Sequence, residues 1–256
     1  MGSEMCIRDS ITAITGDFSS LNTIISNSGA VGSNEKFSGI AAQAITANDA
    51  TITVDNANTL SGATTGKVTA TIATGSLATL NGLSAAAQPA NGDAFALTLN
   101  DATVDAGDLA TLDSKVDQAG GGSINMNTVV KLTGTLTEAQ TFITTKDNFT
   151  NNSNVVDIDL SGTIGDAAAV DTLSTDIRAL SGGTAEINLT GVTAISGTFA
   201  QLETIIDDSG AVGSNEKFSG VAAQALTEDS GGTISVANAN KLSGCLLYTS
   251  DAADDV

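Results

Sequence analysis

A parallel β-solenoid with short helices on one side, a β/α solenoid of about 30 residues per coil, is the fold this sequence predicts, and three observations carry it. First, Ile11 to Thr46 returns without a gap at Val192 to Thr227, 181 residues on, with 26 of 36 positions identical and SGAVGSNEKFSG unchanged between 28–39 and 209–220. Second, the stretch between those copies alternates short strand-like runs with short helix-like runs. Third, the filling residues are Val, Ile, Leu and Ala, with seven phenylalanines and no tryptophan, which suits thin stacked layers better than one thick core. Units of this size cannot bury an apolar face alone and must stack on neighbours.

Comparing the chain with itself separates core from surface. Ile11/Val192, Ile40/Val221 and Ile45/Leu226 exchange apolar for apolar, while Asn27/Asp208 and Asn22/Glu203 exchange polar for polar. Past a one-residue insertion the copy continues, TITVDNANTLSG from Thr51 against TISVANANKLSG from Thr233.

Between the copies, five strand-like runs with period-two alternation each precede a helix-like run with apolar residues three or four apart. Val68–Ile72 precedes GSLATLNGL, Ala94–Leu99 precedes VDAGDLATL, and Thr128–Leu132 precedes TLTEAQTFI. Val155–Leu160 precedes IGDAAAVDTL, and Ala185–Leu189 precedes TFAQLETII. Thr135 with Glu138 and Thr198 with Gln201 fit the capping box, and Asp105 is a good N-cap for the helix carrying Leu109 and Leu112. Gly62, Gly120–Gly122 and Gly182–Gly183 read as helix stops. Taking Leu21, Leu60, Leu80, Leu109, Gln140, Val170, Leu202 and Leu242 as one core anchor per unit, the mean spacing is near 32.

The two ends read differently from the rest. Met5–Asp9 and Cys245–Ser250 can be written as one inverted DNA repeat, and both ends resemble translated sequencing-adapter DNA. The expectation is therefore that 1–9 and 245–256 are adapter-derived, and that 10–244 is a single solenoid cut from a longer array with a 181-residue super-repeat. Both cysteines lie in those ends, and without them the net charge moves from −20 to near −16. Nucleic acid and anionic membranes need cationic surface, so that balance argues against them as partners. No run approaches the 18 or so apolar residues of a membrane span.

Units such as VTATIATGSLATLNGL (Val68 to Leu83) and ALTLNDATVDAGDLATLD (Ala96 to Asp113) resemble degenerate repeats of very large secreted or cell-surface proteins of marine bacteria, cyanobacteria included. The resemblance implies an extracellular or cell-surface location and a structural or adhesive role. The calcium-binding glycine- and aspartate-rich nonapeptide of such proteins is missing.

Chemistry-bearing motifs are few. There is no histidine and no cysteine outside the ends, so neither a His-assisted nucleophile nor a zinc site of the usual ligands can be built. No cofactor fingerprint is present, and no enzyme is expected. Asp157 and Asp159 alternate on one strand and share a face, with Asp166 and Asp171 following. Asp157, Asp159 and Asp166 are the weak calcium candidates, and the Asp157/Asp159 face supports the alternative of a carbohydrate-active or carbohydrate-binding β-helix, which requires another acidic residue opposite. Thr51/Thr53 and Thr69/Thr71 are Thr-x-Thr pairs of the kind ice-binding solenoids stack, but Lys131, Asp157 and Glu186 on other strands would break such a ladder. Glu35 and Lys36 read as a solvated turn pinned by Phe37. The expected function is a non-catalytic structural or adhesive segment of a large extracellular bacterial protein, its partners being neighbouring repeats and surface glycans.

Overall fold

A computed structural model of the chain describes residues 12–28, 39–84, 92–117, 119–209, 217–221, 224–229 and 235–245. The segments 1–9 and 246–256, and the turn Glu35–Phe37, lie outside the described residues.

In chain order the strands are β1 (Ala13–Gly16), β2 (Ala44–Ala47), β3 (Val68–Thr71), β4 (Ala94–Thr98), β5 (Thr103–Asp105), β6 (Ser123–Asn125), β7 (Lys131–Thr135), β8 (Phe149–Thr150), β9 (Asp157–Ile164), β10 (Glu186–Gly197), β11 (Phe218–Ser219) and β12 (Ala225–Glu228). The helices are α1 (Phe18–Ser26), α2 (Val54–Ala63), α3 (Leu77–Leu80), α4 (Ala106–Asp113), α5 (Leu136–Thr145), α6 (Ala167–Leu180), α7 (Phe199–Asp207) and α8 (Val236–Cys245). The architecture is α/β with two parallel sheets. Among the described residues neither sheet closes into a coil. The chain divides into two compact units, one of 1–100, 111–125 and 148–150, the other of 101–110, 126–147 and 151–256.

The first unit holds a parallel sheet in the order β1-β2-β3-β4-β6-β8. Ile45, Val68, Ala70, Phe95, Leu97, Ile124 and Phe149 alternate onto its buried face, and Leu21, Leu60 and Leu80 supply the buried side chains of its helices. Crossovers between parallel strands need a helix or a long loop, and β1, β2 and β3 are followed by α1, α2 and α3 in turn.

The second unit holds the order β11-β10-β9-β7-β5, with β12 joining β10 further along the same strand. Ile158, Leu160, Ile187, Leu189 and Ile195 are buried, as are Phe142, Val170, Leu173, Leu202 and Ile205 of the helices α5 to α7 packed side by side.

Where both are described, the two copies of the long repeat fold alike. Ala13–Gly16 pairs with Ala44–Ala47, and Ala194–Gly197 pairs with Ala225–Glu228 in the same register. The agreement extends to single bonds: Ser28 Oγ donates to Ile25 O at 2.7 Å and Ser209 Oγ to Ile206 O at 2.8 Å. Gln43 Nε2 donates to Gly39 O at 3.1 Å and Gln224 Nε2 to Gly220 O at 2.9 Å. Both turns need glycine, with φ of 83° at Gly39 and 73° at Gly220.

Helix starts agree with the sequence. Thr135 and Glu138 form the capping box, Asp105 Oδ1 accepts from the amides of Gly107 and Asp108, and Gln201 Oε1 accepts from Thr198 N at 2.8 Å. Other expectations are corrected. Gly62 does not stop its helix, since α2 runs on to Ala63, held by the buried Leu60 and Ser61. The strand expected at Thr128–Leu132 begins at Lys131 instead, because Val129 N closes a turn on Met126 O and Val130 is 44% exposed. β10 is 12 residues long where five were expected, since Gly191 sits at a register shift that lets pairing resume beyond it. Gln140 is half-exposed in a groove beside α6; Ala139 and Phe142 anchor α5.

Candidate functional site

The outward face of the second unit's sheet carries the densest cluster of polar side chains that the sequence singled out. Residues two apart on a strand share a face, so Asp157 and Asp159 of β9 both point outward while Ile158 and Leu160 are buried. Register then places Lys131 and Glu186 on either side of Asp157, and Thr133 and Asn188 on either side of Asp159. Lys131, Asp157, Asp159, Glu186, Asn188 and Ser219 line a shallow cavity of about 140 Å³.

Hydrogen bonding is uneven across the cluster. Lys131 Nζ reaches diagonally to Asp159, 3.3 Å from Oδ1 and 3.2 Å from Oδ2, and Asn188 Nδ2 donates to Oδ1 at 3.1 Å. Asn188 Oδ1 in turn accepts from Thr190 N and Thr190 Oγ1. Asp159 is thereby held in place. Asp157 and Glu186 stand opposite each other, about 4.8 Å apart in strand spacing, with no ion-pair partner among the described residues. Like charges directly opposite repel, and a ligand bridging them relieves that repulsion.

Asp166 is not part of this cluster. It lies past the far end of β9, on the order of 20 Å along the strand from Asp157 and Asp159, and its Oδ1 caps α6 by accepting from Ala168 N at 2.9 Å. Calcium ligands must all lie within about 2.6 Å of one ion, so the three candidates do not share a site. Among the described residues no three of His, Cys, Asp and Glu are grouped so as to hold a metal ion. Asp171 lies on α6, 3.8 Å from Lys217 Nζ.

The Thr-x-Thr reading is changed by the division into two sheets. Thr15, Thr46 and Thr69 stand in one row across β1, β2 and β3, followed by Thr71–Ala96–Ser123 and Thr98–Asn125–Thr150. No charge interrupts these rows. Lys131, Asp157 and Glu186, expected to break the ladder, belong to the other sheet. Thr53 is a helix cap, accepting from Asn56 N at 3.2 Å, so the Thr51/Thr53 pair contributes nothing to the rows.

A second polar cluster, in the first unit, escaped the sequence reading. Asp93 is buried; its Oδ1 accepts from Val68 N at 2.9 Å and its Oδ2 takes a short hydrogen bond from Ser61 Oγ. Asp117 N donates to Asp93 O at 2.8 Å, and Asp117 takes Lys67 Nζ at 2.6 Å and Gly120 N at 2.8 Å. The Lys67 hydrogen bond holds the Asp117 carboxyl below the usual carboxylate range, against the opposing effect of burial. These bonds tie α2, β3, the start of β4, Asp117 and Gly120 together. The participants are spread over 60 residues of sequence with no fixed spacing, which is why no motif revealed them.

The Lys-Phe of the duplicated loop is visible in its second copy. Phe218 is fully buried in β11, as expected of its twin Phe37, but Lys217 is more than a solvated turn. It lies 2.8 Å from Asp208 and 3.8 Å from Asp171, and the hydrogen bond that it donates to Asp208 raises its pKa above the usual lysine value.

Comparison with family models, with curated proteins and with solved structures finds no match to this chain.

Proposed function

We propose that the chain is a non-catalytic structural or adhesive repeat segment of a large extracellular bacterial surface protein, working through stacked strand–helix units of β/α-solenoid type. The observation that carries this reading is the recurrence, 181 residues apart, of one strand–helix–turn–strand–helix unit with the same register and the same serine and glutamine side-chain bonds. A fold built by repetition adds stability with each added unit, whereas an enzyme fold closes around one site. Its partners are neighbouring repeats, with surface glycans as the adhesive target.

The direct test extends the chain by appending a second run of residues 63–191 after Gly244. In the repeat reading the appended part folds onto its neighbour, and the denaturant m-value rises in proportion to the added length. An unchanged m-value with an unfolded appendage overturns it.

A second reading, carbohydrate binding or cleavage, is favoured by one observation: the acidic residue that a carboxylate pair requires opposite Asp157 is Glu186. Strand-spaced carboxylates fall near the separation of a retaining glycosidase pair. Screening the chain against a glycan array and a panel of chromogenic glycosides, beside Glu186→Gln, tests it. Binding or turnover abolished by that substitution supports it, and silence on both screens removes it.

A further inference from the structure

We infer that the chain joins itself head to tail, the β12/α8 side of one copy seating against the β1/α1 side of the next; the inference rests on the repeat reading above. Its basis is a comparison of each residue with its twin. Ile195, Ile205 and Ile206 are buried, with β9 paired along β10 and α6 packed against α7. Their twins Ile14, Ile24 and Ile25 sit on the same strand–helix unit but are only half-buried, because β1 is the outermost strand of its sheet among the described residues. Identical side chains in identical local structure differ only in what lies beside them.

The opposite side of the repeat behaves in the same way. Ile45 and Ala57 are buried and Val54 is half-buried, with β3 paired along β2 and α2 packed on β3. Their twins Leu226 and Ala239 are half-buried, and Val236 is 78% exposed. Among the described residues β12 pairs with β10 and with no further strand.

Each side therefore carries the apolar layer and the strand edge of an interface that the chain makes elsewhere in itself. Within the chain the core-facing position of β10 is met by Ile164 against Ile195, and that of β2 by Val68 against Ile45. Seating β12 of one copy on β1 of the next sets Leu226 against Ile14 and continues a parallel sheet with its helix layer. Exposed strand edges over an apolar layer are templates for such pairing. The two surfaces differ, so the contact is heterologous and propagates instead of stopping at a dimer. A net charge of −20 makes copies repel, so salt strengthens this association, the reverse of a contact built on ion pairs.

Sedimentation velocity of the full chain over a concentration series, at low and at raised sodium chloride, reads the outcome. The expected result is an average mass that climbs past the dimer with concentration and climbs further in salt. Val236→Glu blocks one side and Ile24→Glu the other, so each variant alone is monomeric. Mixed, they retain one intact junction and give a dimer that grows no further. Val236 is exposed enough that its variant keeps the wild-type melting temperature, so this arm stands even where Ile24→Glu fails to fold. A full chain that is monomeric at its highest soluble concentration in both salts overturns the inference, and so does a Val236→Glu variant that still grows. If the extended chain of the preceding test folds while the full chain stays monomeric, the junction falls and the repeat reading stands.

Discussion

Lys241 of α8 lies 2.7 Å from Glu203 and 2.9 Å from Asp207 of α7, whereas the first copy of the repeat has Thr59, Asn22 and Ser26 at these three places. Three differences between the copies are thus one interaction. The hydrogen bonds that Lys241 donates to Asp207 and Glu203 raise its pKa above the usual lysine value.

Installing the same triad between α1 and α2, as Asn22→Glu, Ser26→Asp and Thr59→Lys together, raises the melting temperature slightly at low salt. The gain is small because exposed pairs are screened by solvent, and it disappears in molar salt. Asn22→Glu and Ser26→Asp without the lysine give no gain. Thermal melts across a salt series check this, and a gain that persists in high salt contradicts it.

The Lys67–Asp117 pair contributes to the acid limb of stability. Asp117 titrates below the ordinary carboxylate value of 3.8, so its contribution is present above that pH and is lost as pH falls through the lower folded value. Asp117→Asn lowers the melting temperature by several degrees at pH 7 and flattens its fall between neutral and strongly acidic pH. Denaturation curves as a function of pH read both effects, and parallel curves for wild type and variant contradict the assignment.

Ser174 is fully buried in α6, and its hydroxyl has no hydrogen-bond partner among the described residues. Ser174→Ala removes a desolvated polar group and improves helix propensity, so it stabilises by about 1 kcal/mol. Chemical denaturation measures it; a loss of stability means that the hydroxyl is satisfied in solution.

Asp157 and Glu186 repel across adjacent strands, so Glu186→Gln stabilises by a few tenths of a kcal/mol, in the range of cross-strand pair effects, at low ionic strength. Calcium and sodium chloride at equal ionic strength raise the melting temperature of the wild type equally, because Asp166 stands apart from the other two carboxylates. A calcium-specific rise that Glu186→Gln abolishes identifies a divalent site instead.

What the sequence revealed was local or duplicated. Thr135 and Glu138, three residues apart, announce their capping box, and the alternation of Asp157 with Ile158 announces which face is wet, because neither depends on the rest of the chain. The division into two sheets was hidden, since every strand looks alike until its neighbours are known. Glu186 became the neighbour of Asp157 only through register, and the second half of β10 lies beyond the register shift at Gly191, where the simple alternation of Ala185–Leu189 has ended. Asp93 is buried by partners from 25 and 32 residues away, Val68 and Ser61, and no spacing rule connects them.

The claim at the centre of this account, that the two copies are interchangeable units of one repeat, is tested most directly by replacing Thr12–Thr46 with the residues of Thr193–Thr227 and measuring cooperative unfolding in denaturant. The account predicts a single transition with the wild-type m-value and a midpoint close to wild type, because the copies share strand register, the turn glycines Gly39 and Gly220 and the bonds of Ser28/Ser209 and Gln43/Gln224, and none of their polar differences is buried. Loss of the cooperative transition, or a clear drop in m-value, would show that each copy is fitted to its own place and would contradict the account.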